Sequence, residues 1–211
     1  MSRIILDLCG GTGSWSAPYR AAGYDVRLVT LPENDVRWFH PPKDVHGILA
    51  APPCTEFAVS GARWWKAKPP ELLAEAADVV EAVMSIIAQC KPAWWALENP
   101  VGRLGDYIGK WKYTFQPWEY GDPWVKRTCV WGDHVQPTKS PCDISRIRNG
   151  CLGRSSSDHR HPQTIADFWE LAGKPALCTE WIHRLPPGND RAALRSITPP
   201  RFAKAFFEAN T

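Results

Sequence analysis

A chain of 211 residues with 44% hydrophobic and 22% charged content reads as one soluble globular domain, which excludes wholesale disorder and collagen-like repetition. A net charge of +3 is too small to announce nucleic-acid binding by itself, so any phosphate-facing surface must come from local clustering. The longest apolar stretches, such as residues 93–97, fall far short of the ~18 residues a membrane span needs, and Met1-Ser2-Arg3 leads into Ile4-Ile5-Leu6 without a signal-peptide layout, so a cytoplasmic protein with no membrane partner is expected.

Seven cysteines, an odd number scattered along the chain, argue for separate thiols rather than a disulfide framework. Twelve tryptophans and 20 prolines supply rigid aromatic surfaces and frequent interruptions, which suits a loop-rich α/β protein.

Residues 3–8 form an apolar run that ends in Cys9-Gly10-Gly11-Thr12-Gly13, the pattern of a buried strand entering a glycine-rich turn. A short helix is expected over residues 14–22, closed by Gly23, and a second strand over 25–30. A third strand over 46–50 is stopped by Pro52-Pro53, and Cys54 follows where it ends. Over residues 71–90 apolar side chains recur at spacings of three and four, the mark of an amphipathic helix that Lys91-Pro92 terminates. Residues 93–97 read as a further buried strand with Glu98-Asn99-Pro100 at its exit, and residues 125–131 as a late strand, one arm of an antiparallel pair with 114–118. Short helices are expected over 164–172 and 200–209. Such alternation implies an α/β fold: a mainly parallel sheet, with helices on both faces and right-handed crossovers.

In open parallel sheets ligands sit outside the carboxyl ends of the strands, where Gly11, Gly13, Cys54 and Glu98 all fall. The glycine turn lets a nucleotide-like cofactor approach the backbone, with Asp7 to anchor the turn or a charged end of that cofactor. Two prolines before Cys54 fix the backbone in the way a nucleophile requires, and Glu98 offers a carboxyl beside it. Trp94 and Trp95 are most simply core. Trp64 and Trp65, within Arg63-Trp64-Trp65-Lys66, suit base stacking and phosphate contact. Cys142, Cys151, His159, His161 and Cys178 lack a Cys-x-x-Cys knuckle, so no metal site is expected.

Together these motifs resemble the DNA cytosine-5 methyltransferases, most of all small bacteriophage-encoded members. Residues 7–13, Asp-Leu-Cys-Gly-Gly-Thr-Gly, match that family's opening turn, Asn34-Asp35-Val36 its Gly-Asp-Ile element, Ala51-Pro52-Pro53-Cys54 its Pro-Pro-Cys and Glu98-Asn99-Pro100 its Glu-Asn-Val. Tyr120-Gly121-Asp122-Pro123 with Lys126 resembles Tyr-Gly-Val-Pro-Gln-x-Arg-x-Arg, and residues 198–203 the closing Asn-x-Val-Pro-Pro-x-x-Ala. The resemblance implies a single Rossmann-like, S-adenosylmethionine-dependent methyltransferase domain over residues 1–211, with 139–184 as a reduced recognition region.

It further implies that Asp7, Cys9, Gly11 and Gly13 hold the methionine part of S-adenosylmethionine, that Asp35 meets the adenine amine and Val36 its ring, and that Pro52, Ser196 and Thr198 complete the cofactor pocket. Cys54 would attack C6 of a cytosine flipped out of DNA, and Glu98 would bind its N3 and 4-amino group. Three positions depart from the family. Cys9 replaces the Phe that packs on adenine, and Thr30 ends the second strand where a ribose-binding acid is usual, leaving Glu33 as substitute. The arginine that meets the cytosine O2 is missing, with Lys126 or Arg127 to replace it. Residues 139–162 carry Lys139, Arg146, Arg148, Arg154 and Arg160 against Asp143 and Asp158, and Arg146, Arg148 and Arg154 are candidate DNA contacts at a short target. RNA or a free cytosine nucleotide as substrate, and a catalytically silent binding protein, are the competing readings. No obligatory protein partner is evident.

Overall fold

The computed structural model describes residues 2–142, 182, 185 and 191–211. In chain order the elements are β1 (Ile4–Leu8), α1 (Ala17–Ala21), β2 (Asp25–Val29), β3 (Val45–Ala50), α2 (Pro70–Cys90), β4 (Trp94–Pro100), α3 (Gly105–Ile108), β5 (Tyr113–Phe115), β6 (Thr128–Trp131), α4 (Arg191–Ser196) and α5 (Pro200–Ala209). One six-stranded sheet runs β2-β1-β3-β4-β6-β5. The first four strands are parallel, β6 is antiparallel to β4, and β5 is antiparallel to β6. The sheet is therefore mixed, with a single reversed strand inserted near one edge.

The period-two pleat sorts side chains to two faces. Leu6, Leu8, Ile48, Ala50, Leu97, Cys129 and Trp131 pack on α2 through Ala76, Val80, Val83 and Ile87. Ile5, Leu49, Trp94, Ala96 and Val130 face the other way, onto Trp15, Tyr19, Phe202 and Phe206 of the α1 and α5 side. The expected helices on both faces are thus present, and α5 starts and ends where its proline and apolar spacing predict. Among the described residues no helix is long and apolar enough to cross a membrane.

Register decides where the loops emerge. Leu8 pairs with Ala50, and Ala50 with Leu97, so the residues that follow each of them leave the same edge of the sheet side by side. The chain order also reverses here, because β1 feeds β2 on one side and β3 lies on its other side. Such a switch point leaves a crevice outside the strand ends.

Four boundaries differ from expectation. β4 continues through Glu98 to Pro100, because Leu97 to Pro100 find antiparallel partners in Trp131 to Thr128. Residues 125–127 stay outside β6, the amide of Lys126 instead donating to Gln116 Oε1 at 3.0 Å. The partner strand β5 stops at Phe115, and residues 117–120 turn into a short 3-10 helix closed by a Gln116/Glu119 capping box. α1 begins only at Ala17, since the Ser16 hydroxyl is used inside the preceding turn and the Ser14 hydroxyl accepts from the distant Thr198 amide. The expected helix over 164–172, and most of the recognition region 139–184, lie outside the described residues.

Candidate active site

The turn after β1 is built around a buried carboxylate. Ser16 donates its hydroxyl to Asp7 Oδ2 at 2.5 Å, while Asp7 Oδ1 is buried without a partner. Burial pushes the Asp7 carboxyl up to about 6, against the Ser16 hydrogen bond and the Arg20 charge that favour its ionised form. Gly10 is required here, because a Cβ would fall 2.3 Å from Asp7 Oδ1. Cys9, Gly11 and Gly13 all have positive φ (56°, 54° and 70°), which folds the backbone into a tight concave loop. The Cys9 thiol, pushed up to about 12 by burial and by the charges of Asp7 and Asp35, is unfit as a nucleophile.

Asp35 caps the 3-10 turn Val36–Trp38 and is held at the other end of this pocket, but it is not a vacant acceptor. Arg37 donates to it from its backbone N and from Nε, both at 3.0 Å, and this hydrogen bonding holds the carboxyl below the usual range. Val36 is only 5% exposed and packs within the α2-side core, which leaves little of its side chain for a ligand ring. Glu33 is exposed. The closing element does reach the turn: the amide of Thr198 donates to Ser14 Oγ at 2.9 Å, and Ser196 Oγ lies 3.2 Å from where a Cβ on Gly11 would stand.

Cys54 opens the loop after β3. Its carbonyl accepts the amides of Phe57 and Ala58 at 3.0 and 2.8 Å, so the cysteine heads a tight turn. Across from it, Asn99 Nδ2 donates to the carbonyl of Pro52 at 2.9 Å and ties the loop to β4. Burial pushes the Cys54 thiol up; the Lys126 and Arg195 charges pull it down and Glu98 pushes it further up. Glu98 is 7% exposed, its Oε2 has no partner, and burial pushes its carboxyl up against the attraction of Lys126.

Burial separates the two cationic candidates just before β6. Glu98 faces the same side as its cross-strand partner Val130. Lys126 is 9% exposed, with its charge acting on both Cys54 and Glu98, while Arg127 is exposed and its charge acts on Cys129. Of the two expected candidates, Lys126 is therefore the one buried beside Cys54 and Glu98. Its Nζ donates to the carbonyl of Arg195 at 3.0 Å, at the end of α4.

The loop beyond Cys54 is fastened at its base. Lys68 pairs with Glu56 at 2.7 Å, Arg103 Nε donates to the Glu56 carbonyl at 2.9 Å, and the Arg103 guanidinium lies 4.3 Å over Trp65. Trp64 instead is 55% exposed, with the Arg63 guanidinium 5.1 Å over its ring, and Lys66 is exposed beside it. The tryptophan pair is thus split: Trp65 is pinned inward and Trp64 is presented outward. Arg146, Arg148 and Arg154 lie outside the described residues.

Sequence reasoning missed Arg195, which no motif marked, and the tethering roles of Asn99 and Ser16. Only Asn99, inside a matched motif, carried a signal that could have revealed it.

No known family model matches this sequence, and no curated protein matches it either. Solved structures do. A prophage-encoded protein of E. coli assigned to the DNA modification methyltransferases is 14% identical with a TM-score of 0.44 over 77% of this chain. The Entamoeba histolytica methyltransferase EhMeth is 12% identical, with a TM-score of 0.45 over 77%, and the S. pombe Dnmt2 methyltransferase 10% identical, with 0.44 over 81%. This chain spans 58%, 64% and 66% of their respective lengths.

Proposed function

We propose that the chain is an S-adenosylmethionine-dependent methyltransferase that methylates C5 of cytosine in DNA, with Cys54 as the nucleophile. The observation that supports this reading is that half-buried Cys54 and buried Glu98 and Lys126 act on one another electrostatically at the strand ends beside the β1/β3 switch point, where the glycine turn also emerges. A thiol, a carboxyl and an ammonium set together suit covalent activation of a flat heterocycle.

The turn fits the cofactor on two counts. It leaves the Asp7 Oδ1 acceptor buried and unpartnered, and its left-handed residues open a hollow walled by Ser196. Asp7, Cys9, Gly11, Gly13 and Thr198 would hold the amino-acid end, and Asp35 the adenine, sharing its carboxylate with Arg37. When bound, S-adenosylmethionine supplies an electrophilic methyl group.

The chain's own residues then activate the base. Cys54, its proton passed to solvent, forms a bond from Sγ to C6, and the C5=C6 electron pair moves to C5. Glu98, held towards its protonated form by burial, donates that proton to N3 and accepts from the 4-amino group, so the ring carries the added electron density. Once C5 carries a methyl group it would lose its proton to a solvent base; that electron pair re-forms the C5=C6 bond as the Sγ–C6 bond breaks, N3 returns its proton to Glu98, and the Cys54 thiolate is restored. Lys126 offsets negative charge on Sγ and takes the place of the arginine that would meet the cytosine O2. The base must leave its stack to reach this buried pocket.

Transfer of label from the cofactor to duplex DNA, RNA and dCTP, run in parallel, tests the reading. Label at cytosine C5 of DNA supports it, and label in RNA or dCTP alone replaces the substrate. No transfer to any of the three leaves a binding protein. Bisulfite sequencing of methylated DNA then reads the target, expected to be two or three base pairs long.

A further inference from the structure

We propose that Arg195 is a second substrate-binding residue of this pocket: its guanidinium grips a DNA backbone phosphate beside the extruded cytosine, while its main-chain carbonyl holds the Lys126 ammonium. The inference rests on the reading of the site as one for cytosine in DNA.

Two features of α4 place it. Leu194 and Ile197 are buried on either side of Arg195 and Ser196, so the backbone is locked at the pocket's edge. The last carbonyls of a helix have no intrahelical donor and carry partial negative charge, and Lys126 takes up the one at Arg195. The pocket's buried cation is thereby satisfied by main chain rather than by a carboxylate, which leaves its positive charge uncancelled towards Cys54 and Glu98. Ser196, the next residue, leans on the glycine turn. The segment thus touches the cofactor turn and the catalytic cation within two residues.

The Arg195 side chain itself is exposed, in contrast with buried Lys126, and its charge nonetheless favours the Cys54 thiolate. With its main-chain carbonyl 3.0 Å from Lys126 Nζ and its side chain exposed, Arg195 stands at the rim of the site, not its floor. Lys126 cannot serve the backbone of a flipped nucleotide from its buried position, whereas a guanidinium at the rim presents a planar fork that matches two phosphate oxygens. A phosphate held there fixes the sugar whose base lies over Cys54.

The test compares wild type with Arg195→Ala and Arg195→Gln, each checked for fold by circular dichroism and for cofactor binding by calorimetry. DNA affinity is measured from roughly 50 to 300 mM salt, where one lost phosphate contact lowers the log–log slope by about 0.9. Duplexes with a neutral methylphosphonate on either side of the target cytosine complete a double cycle. The expected results are a shallower slope for both variants, cofactor affinity unchanged, and a methylphosphonate that weakens wild type but not the variants. Alkylation of Cys54 should also shift to higher pH in Arg195→Ala. Wild type that methylates DNA beside variants of unchanged slope, with methylphosphonate effects that simply add, overturns the role of Arg195 alone. Wild type that transfers methyl only to RNA or dCTP overturns the DNA reading, and the phosphate role with it.

Discussion

The side chain of Asn99 donates to the main-chain carbonyl of Pro52 at 2.9 Å, which couples the strand that carries Glu98 to the loop that carries Cys54. Two prolines stiffen the loop internally, and this bond fixes it against β4 one residue from the acid. Further along, the Val59 amide donates to the Val101 carbonyl at 2.8 Å and the Arg103 amide to the Phe57 carbonyl at 2.9 Å, so the Asn99 bond is the tether nearest the thiol and carboxyl.

Asn99→Ala should leave the Pro52 carbonyl buried and unpaired, costing about 1–3 kcal/mol of stability. Its kinetic signature is a fall in kcat exceeding any change in KM for cofactor, because the nucleophile is displaced while the glycine turn is untouched. Steady-state kinetics and thermal melting check both. A variant that loses stability but keeps full kcat would reduce Asn99 to a fold-holding residue.

Cys54→Ser should abolish methyl transfer with cofactor binding retained, since a hydroxyl at neutral pH is far weaker than a thiolate as an attacking group. Glu98→Gln keeps the shape but removes the proton that N3 requires, so most turnover should go as well. Duplex DNA containing 5-fluorocytosine should trap wild type covalently and leave Cys54→Ser free, readable by denaturing electrophoresis. A trapped Cys54→Ser would move the nucleophile elsewhere.

How much of this was legible beforehand divides along physical lines. β1 and β3 were legible as short apolar runs because both of their faces are buried, and α2 because it buries one continuous stripe. Glu98 appeared to stand at a strand exit only because its partner lies 32 residues on, and an antiparallel strand arriving from that distance leaves no mark in the local pattern. The choice between Lys126 and Arg127 turns on burial, and the contacts that hold Lys126, from the Gln116 side chain to its amide and from its ammonium to the Arg195 carbonyl, come from distant parts of the chain that local pattern does not reveal. Arg195 was invisible because its part in the pocket comes from a helix end and a carbonyl, neither of which a residue type announces.

Stability should depend on pH through two buried carboxyls. Burial pushes Asp7 up to about 6 and Asp122 up to about 7, the latter against hydrogen bonds from the Arg201 and Phe202 amides at the start of α5. The folded state therefore holds these protons more tightly than the unfolded chain, so their contribution is complete below about pH 4 and is lost as pH rises through 6 and 7. For Asp122 the loss is on the order of 3–4 kcal/mol. Asp122→Asn, which still accepts from the helix amides, should melt higher than wild type at pH 8 and close to it at pH 4. Parallel melting curves at both pH values would show that the carboxyl is ionised at little expense.

The split tryptophan pair yields the sharpest separation of binding from folding. Trp65 lies under the Arg103 guanidinium, and Arg103 also holds the Glu56 carbonyl, so this ring belongs to the latch at the base of the loop after Cys54. Trp65→Ala should lower the melting temperature and, by loosening that latch, lower turnover with it. Trp64 contributes little to the fold because more than half of it is in water, and the Arg63 guanidinium over its face stiffens it without burying it. An exposed, stiffened indole between two cations, on the loop that starts at the nucleophile, is placed to stack on bases next to the one withdrawn. Stacking of this kind is worth about 1–3 kcal/mol per base, so Trp64→Ala should weaken DNA binding by roughly fivefold to a hundredfold at unchanged melting temperature. Trp64→Phe should recover part of that affinity, whereas Arg63→Ala should lower the salt slope as well. DNA affinity indifferent to Trp64→Ala would return this ring to the surface, and loss of melting temperature in that variant would place it in the latch with Trp65.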